Sequence, residues 1–332
     1  MAQALSEVVL RHFYIHSIKK PMIKRTLYFG NPAYLSLHNG QLVLKLPEIE
    51  RSDKVAEAIR QEAVRTFPIE DLGIVVLDHK QITITQGVMA ALLANNCAVI
   101  TCDSKSMPTG LLLPLNGNTL QSERFQNQIE ASLPLRKQLW QQTIRAKIEN
   151  QSEILKQYTD TEVRCMQVWS SEVRSGDSEN LEGRSAAYYW KHIFNREIPH
   201  FVRGREEAPP NNLLNYGYAI LRAVIARALV GSGLLPTLGI HHHNRYNAYC
   251  LADDIMEPYR PYVDECVLKI VRSHANYETL SKDLKAQLLG IPTLEVCIDG
   301  KRRPLMVAAS TTTSSLAKCY NGEARLLLYP KR

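Results

Sequence analysis

The chain is 332 residues long, 45% hydrophobic and 22% charged, which excludes a disordered polymer and leaves length for roughly two domains of about 150 residues each. Lys and Arg total 40 against 33 Asp and Glu, a formal net charge of +7. That surplus permits a polyanionic partner without requiring one. It falls mainly in residues 122–332, with Lys301, Arg302 and Arg303 the tightest basic run. A solvated turn explains that run as well as an anion site does.

The seven cysteines are an odd number, and none forms a C-x-x-C pair. A disulfide framework and a zinc ribbon are both disfavoured, and reduced thiols in a cytoplasmic setting are the expectation. No apolar run reaches the roughly 20 residues of a membrane span. The stretch 88–100 is broken by Asn95 and Asn96, and 218–235 carries Arg222 and Arg227. No membrane partner is expected. Residues 1–21 show Glu7 before any basic residue and no long apolar core, so they do not read as a secretory signal.

Those first 21 residues look detached and are expected to be a disordered extension. From Met22 the pattern becomes regular. Short strands are predicted at residues 27–29, 34–37 and 42–46, with Asn39-Gly40 between the last two as a hairpin signal. Strands at 72–78, 81–85 and 97–103 follow, with a short helix at 86–95. Residues 22–115 therefore read as a β-rich, β-sandwich-like domain.

After Leu115 the texture turns helical. Residues 122–157 carry Gln, Glu, Lys, Leu and Ile at helical spacing, with Pro134 as a break. Further helices are predicted at 160–174, 181–195, 212–230, 251–273 and 277–289. The segment 212–230 is apolar on most faces and should be a buried central helix, started by Asn211 and Asn212. The fold class is thus α+β: an N-terminal β-rich domain, then an α-helical domain over 116–300, with 301–332 as a C-terminal tail.

Three stretches could carry chemistry. Glu182 opens the helix "LEGRSAAYYW", where residue type alone favours a first-turn Glu that complements the helix dipole. "GIHHHNRYN" supplies three histidines, each a good metal ligand when neutral. In "LADDIMEPYRPYVD", Asp254 and Glu257 are three apart and share a helix face. Pro258 has no N–H for the Asp254 carbonyl, so a kink is expected. An imidazole with two carboxylates suits Mg²⁺ or Mn²⁺ better than structural zinc. Arg203, Arg205, Arg245 and Arg260, with Tyr188, Tyr189 and Tyr216, suggest a phosphodiester substrate.

These stretches, with "KRTLYFGNPAYLS", "PIEDLGIVVLD", "NNCAVITCD" and "NNLLNYGYAILRA", resemble the CRISPR-associated adaptation integrase and endonuclease family, and within it the type II branch. The resemblance covers residues 22–300. It implies that Glu182, His242 and Glu257 are the catalytic metal ligands, with flanking His241 and His243 the alternatives to His242. Asp254, Tyr188 and Tyr216 match assisting positions, and Arg203, Arg205, Arg245 and Arg260 would contact DNA. It also implies a dimerisation role for 22–115 and a homodimer. Further implied partners are spacer and repeat DNA, a small second adaptation protein, and, in a type II setting, the effector nuclease and a DNA-end-binding protein. The implied reaction is insertion of short duplexes into a CRISPR repeat by 3′-hydroxyl transesterification. The alternatives are a metal-dependent nuclease on branched DNA and a non-catalytic DNA-binding scaffold. An intact Glu182, His242 and Glu257 set argues against the scaffold.

Overall fold

The structure is a computed structural model describing residues 13–16, 24–47, 64–204, 206–274 and 276–332. The chain divides into two compact units, Met1–Leu115 and Asn116–Arg332.

The first unit holds two sheets. One has the order β1 (Phe13–His16), β2 (Arg25–Phe29), β6 (Leu72–Leu77), β8 (Ala98–Cys102) and β9 (Pro108–Leu112). The other has the order β5 (Arg65–Pro68), β4 (Gln41–Lys45), β3 (Ala33–His38) and β7 (Ile82–Ile84). β6 runs parallel to both β2 and β8. Its sequence, Leu-Gly-Ile-Val-Val-Leu, is buried almost throughout, as a strand covered on both faces requires. Leu27, Leu35, Leu44, Phe67, Val75 and Val99 form one core drawn from both sheets, closed by Val88 and Leu92 of helix α1 (Gln86–Ala94). The β3–β4 hairpin turns at Asn39 and Gly40, with φ of 48° and 70°. Two successive positive φ values define the tight turn that the Asn-Gly pair predicts.

The expected disorder of residues 1–21 is corrected in part. Residues 13–16 pair antiparallel with β2 from Phe13↔Phe29 to His16↔Thr26. Phe-Tyr-Ile is a run of strong strand formers, and β2 offers it an open hydrogen-bonding edge. The rest of that segment lies outside the described residues.

The second unit is helical: α2 (Gln121–Ile129), α3 (Leu133–Tyr158), α4 (Arg164–Glu172), α5 (Leu181–Ile193), α6 (Asn211–Gly231), α7 (Cys250–Met256), α8 (Arg260–Ser273), α9 (Lys282–Leu288) and α10 (Leu305–Tyr320). Pro134 sits in the first turn of α3, where its missing N–H costs nothing, and Ser132 caps that turn by accepting from the Leu135 N–H at 3.3 Å. α6 is long and apolar enough to cross a membrane, yet it is buried as the core of this unit. Gly217 lets α8 approach it, because a Cβ there would meet Val263 at 2.6 Å.

The C-terminal tail is a second correction. Residues 301–332 continue the fold. Strand β11 (Lys301–Pro304) pairs with β10 (Glu295–Ile298) through a turn at Asp299 and Gly300. α10 then packs on α6, its Thr313 hydroxyl donating to the Ala228 carbonyl at 3.1 Å. The last residues strap across α3. Tyr329 meets the Thr143 hydroxyl at 2.9 Å, and the Pro330 carbonyl accepts from Asn150 at 3.0 Å. Buried hydroxyls satisfied in this way can stand in for the apolar stripe by which a core helix is usually read.

Candidate active site

Glu182 is placed by a helix start. Asn180, at φ 51°, caps α5 by accepting from the Gly183 N–H at 3.2 Å, and the Asp177 carboxylate accepts from the N–H groups of Leu181 and Glu182. A Cβ at Gly183 would lie 2.7 Å from the Asn180 amide. Gly183 is therefore a packing requirement of the cap.

Glu257 is placed by the kink. α7 ends in a 3₁₀ turn, Glu257–Tyr259, where the Glu257 N–H reaches the Asp254 carbonyl that Pro258 leaves unserved. Asn150 of α3 donates to the Pro258 carbonyl at 2.8 Å and fixes the turn.

His242 is placed by Asp254, which is 0% exposed. The Asp254 carboxylate accepts from the backbone N–H groups of Ile240 at 2.7 Å, His241 at 2.9 Å and His242 at 3.3 Å, and from the Nδ1 of His242. Gly239 starts this wrap, since a Cβ there would meet the His242 carbonyl at 2.3 Å. A carboxylate accepts, so Nδ1 carries the proton and Nε2 is the lone-pair nitrogen of the neutral ring. The Asp254 hydrogen bond raises the His242 pKa above its ordinary value despite partial burial, aided by the fields of Asp254, Glu257 and Glu182. The His241 ring instead stacks on Trp140 with centroids 4.2 Å apart and planes 2° apart, and burial lowers its pKa.

The two glutamates converge on one cation. Lys147 of α3 is 8% exposed, and its Nζ lies 2.7 Å from Glu182 Oε1 and 2.6 Å from Glu257 Oε2. Arg260 Nε holds the other Glu257 oxygen at 2.9 Å. Burial would raise the Glu257 pKa, but Arg260 and then Lys147 outweigh it and hold the carboxylate below its usual range. Burial likewise works against the Lys147 ammonium, and Glu257 and Glu182 reverse that effect and raise its pKa.

Among the described residues, no three His, Cys, Asp or Glu side chains are already gathered as a metal cage. The donor chemistry nevertheless fits a hard divalent cation. Two carboxylates already share one positive charge, and an imidazole held by its own carboxylate responds to both of them.

The remaining candidate residues separate. Tyr188 donates to the Glu162 carbonyl at 2.6 Å and packs edge-on against Trp169. Tyr216 is fully buried in α6. Arg203 donates to Asn211 and Asn215 and lies over Trp190 and Tyr218, holding the start of α6. Arg260 is committed to Glu257 and the Tyr218 ring. Arg203 and Arg260, expected to face DNA, thus both have partners within the helical unit. Arg245 is exposed, stacked 4.7 Å from the centroid of Tyr246, and lines a cavity of about 370 Å³ with His242 and His243. Arg205 lies outside the described residues.

Sequence reasoning missed Lys147, Trp140 and Asn150. The available signal was Lys147 itself, which falls in the buried stripe Trp140, Ile144, Lys147, Ile148 of α3. A lysine there is costly unless paired.

The sequence profile of the family described as CRISPR associated protein Cas1 matches residues 29–290. The chain belongs to that family. The CRISPR-associated endonuclease Cas1 of Neisseria meningitidis serogroup C is 31% identical over 295 residues, 89% of this chain and 91% of that protein. Among solved structures, a casposase bound to integration product superposes with a TM-score of 0.70 at 20% identity, covering 91% of each chain. A chain of a Cas6-RT-Cas1–Cas2 complex superposes with a TM-score of 0.67 at 20% identity, covering 94% of this chain and 36% of that one. These likenesses agree with the α+β order of sheets first and helices second.

Proposed function

We propose that the protein is a metal-dependent DNA endonuclease and integrase that inserts short DNA duplexes into a CRISPR repeat. The observation that carries this reading is the convergence of Glu182 and Glu257 on one buried cation beside an imidazole oriented by Asp254. In the reaction a 3′-hydroxyl attacks a repeat phosphodiester. A new P–O bond forms as the old one breaks, and the leaving 3′-oxygen takes a proton. Glu182, Glu257 and His242 would hold Mg²⁺ or Mn²⁺, which supplies positive charge where negative charge develops on the phosphate. The residues of the chain do the rest. Asp254 fixes the imidazole, Lys147 and Arg260 hold the carboxylates, and Arg245 offers an exposed guanidinium to a phosphate. Positioning and electrostatics of this kind can carry phosphoryl transfer without a protein nucleophile.

The partners proposed are DNA, a second copy of this chain using the β-rich unit, and a small second adaptation protein. A type II effector nuclease and a DNA-end-binding protein are added by the type II resemblance. The casposase with its integration product and the chain from a Cas1–Cas2 complex support the reading by likeness of fold. The proposed compartment is the cytoplasm. The test is a strand-joining assay with short duplexes, a repeat-bearing plasmid and Mn²⁺, with and without the small partner. Joined product that EDTA abolishes supports the integrase. Cuts without joining support the branched-DNA nuclease, and neither product supports the scaffold.

A further inference from the structure

We infer that Lys147 is the built-in counter-ion of the Glu182–Glu257 pair: it holds the two carboxylates converged before a divalent ion arrives, and it is the group that ion must displace. The inference rests on the reading of Glu182 and Glu257 as metal ligands.

Three observations carry it. Lys147 Nζ is within 2.7 Å of a carboxylate oxygen from each of two separate elements, the first turn of α5 and the 3₁₀ turn after α7. Among the described residues Lys147 is the cation that contacts both Glu182 and Glu257, so without this ammonium two negative groups would face each other in a poorly hydrated site, which disfavours their convergence. The oxygen assignment is also divided. Arg260 takes Glu257 Oε1, while Lys147 takes Oε2. The oxygens that a shared divalent ion would need are therefore those the ammonium now occupies, and a guanidinium on the far side keeps Glu257 in place when they are released.

The side-chain chemistry suits displacement. A lysine ammonium is a compact charge on a four-carbon stem with three rotatable donors, so it can swing aside without moving its helix. A dication and an ammonium cannot share the same two oxygens, and their mutual repulsion in low dielectric drives one of them out. The energy of the two ion pairs is thereby subtracted from the intrinsic metal affinity. Lys147 is a positioning residue with a second effect: it keeps the metal-free site assembled and sets the metal concentration at which the site fills.

The test measures binding, independently of turnover. Mn²⁺ is titrated calorimetrically into the full chain as wild type, Lys147→Met, Lys147→Arg and Glu182→Gln, and each is melted in EDTA and in Mn²⁺. Lys147→Met removes the competitor while keeping the apolar stem. The expected result is Mn²⁺ binding about tenfold tighter or more, equivalent to about 1.4 kcal/mol, with a lower melting temperature in EDTA that Mn²⁺ restores. Lys147→Arg places a forked, harder-to-displace cation between the carboxylates, and Mn²⁺ should bind more weakly than to wild type. A purely structural lysine would lower the melting temperature in both conditions and leave affinity equal or weaker in Lys147→Met; that result overturns the inference. If Lys147→Met does not fold in EDTA, Lys147→Arg decides, and affinity equal to or tighter than wild type overturns it. Wild-type binding that ignores Glu182→Gln overturns the metal reading as a whole. Binding that depends on Glu182 but not on the identity of residue 147 overturns this inference alone.

Discussion

Asp254 and His242 act as one unit. The buried carboxylate closes on the histidine ring through Nδ1 and on the backbone N–H groups of residues 240, 241 and 242. Two outcomes follow for substitutions. Asp254→Ala leaves three N–H groups and a ring nitrogen without an acceptor, so stability should fall by about 3 kcal/mol or more. His242→Ala removes a half-buried ring and should leave the fold nearly unchanged while Mn²⁺ affinity and DNA joining drop. Thermal melts with calorimetric Mn²⁺ titration check both. Equal melting temperatures for the two variants would mean that Asp254 does not organise the loop.

Arg245 and Arg260 should part company in a salt titration of DNA binding. Arg245 is exposed beside the cavity that His242 lines, so Arg245→Ala should weaken DNA binding and lower the log–log salt slope by about 1. Arg260 neutralises buried Glu257. Arg260→Ala should instead cost about 2 kcal/mol of stability with the salt slope unmoved. A reduced slope for Arg260→Ala would place it on the DNA.

Asp264 gives the helical unit a pH signature. Its carboxyl accepts from Tyr189 at 3.1 Å and from Tyr218. Burial pushes its pKa up to about 7, against the pull of those hydrogen bonds and of Arg203 and Arg260. Between about pH 4 and 7 the unfolded chain has lost this proton while the folded chain keeps it. Stability is therefore fully present below the unfolded pKa and is lost as pH rises through 7, by roughly 2–4 kcal/mol across the window. His242, with its raised pKa, slopes the same way. Asp264→Asn should flatten the wild-type curve, so the difference between the two isolates Asp264. Parallel curves would show that the carboxyl is ionised in the fold.

Residues 301–332 should be indispensable. Ending the chain at Gly300 removes α10 from α6 and the strap from α3, with the Thr313–Ala228, Tyr329–Thr143 and Asn150–Pro330 hydrogen bonds. The truncated chain should lose its cooperative melt and expose α6. A soluble truncation with wild-type helicity would restore the view of this segment as a tail.

What the sequence made legible was local. Asn39-Gly40 specifies its hairpin because only residues tolerant of positive φ fit both turn positions. Pro258 marks its kink because it cannot serve the Asp254 carbonyl. Asp299-Gly300 carries the same turn signal as Asn39-Gly40 and could have been read. α10 was hidden because Thr312, Thr313 and Ser315 lower its helix propensity and place hydroxyls on its buried face. Lys147 was hidden for a different reason. Its partners lie 35 and 110 positions away in the chain, and no local pattern announces an ion pair formed by tertiary packing. The same distance effect hid the aromatic and carboxylate partners of Arg203 and Arg260, which are visible only in three dimensions.

The central claim is that Glu182 and Glu257 together hold the ion that drives phosphodiester chemistry. The most direct test is the rate of strand joining by Glu182→Gln and Glu257→Gln in saturating Mn²⁺, with DNA affinity measured in parallel. Each variant should join DNA at least about 100-fold more slowly while binding DNA as well as wild type or slightly better, because a negative charge near phosphate has gone. Joining at the wild-type rate by both variants would contradict the account and leave the protein as a DNA-binding scaffold.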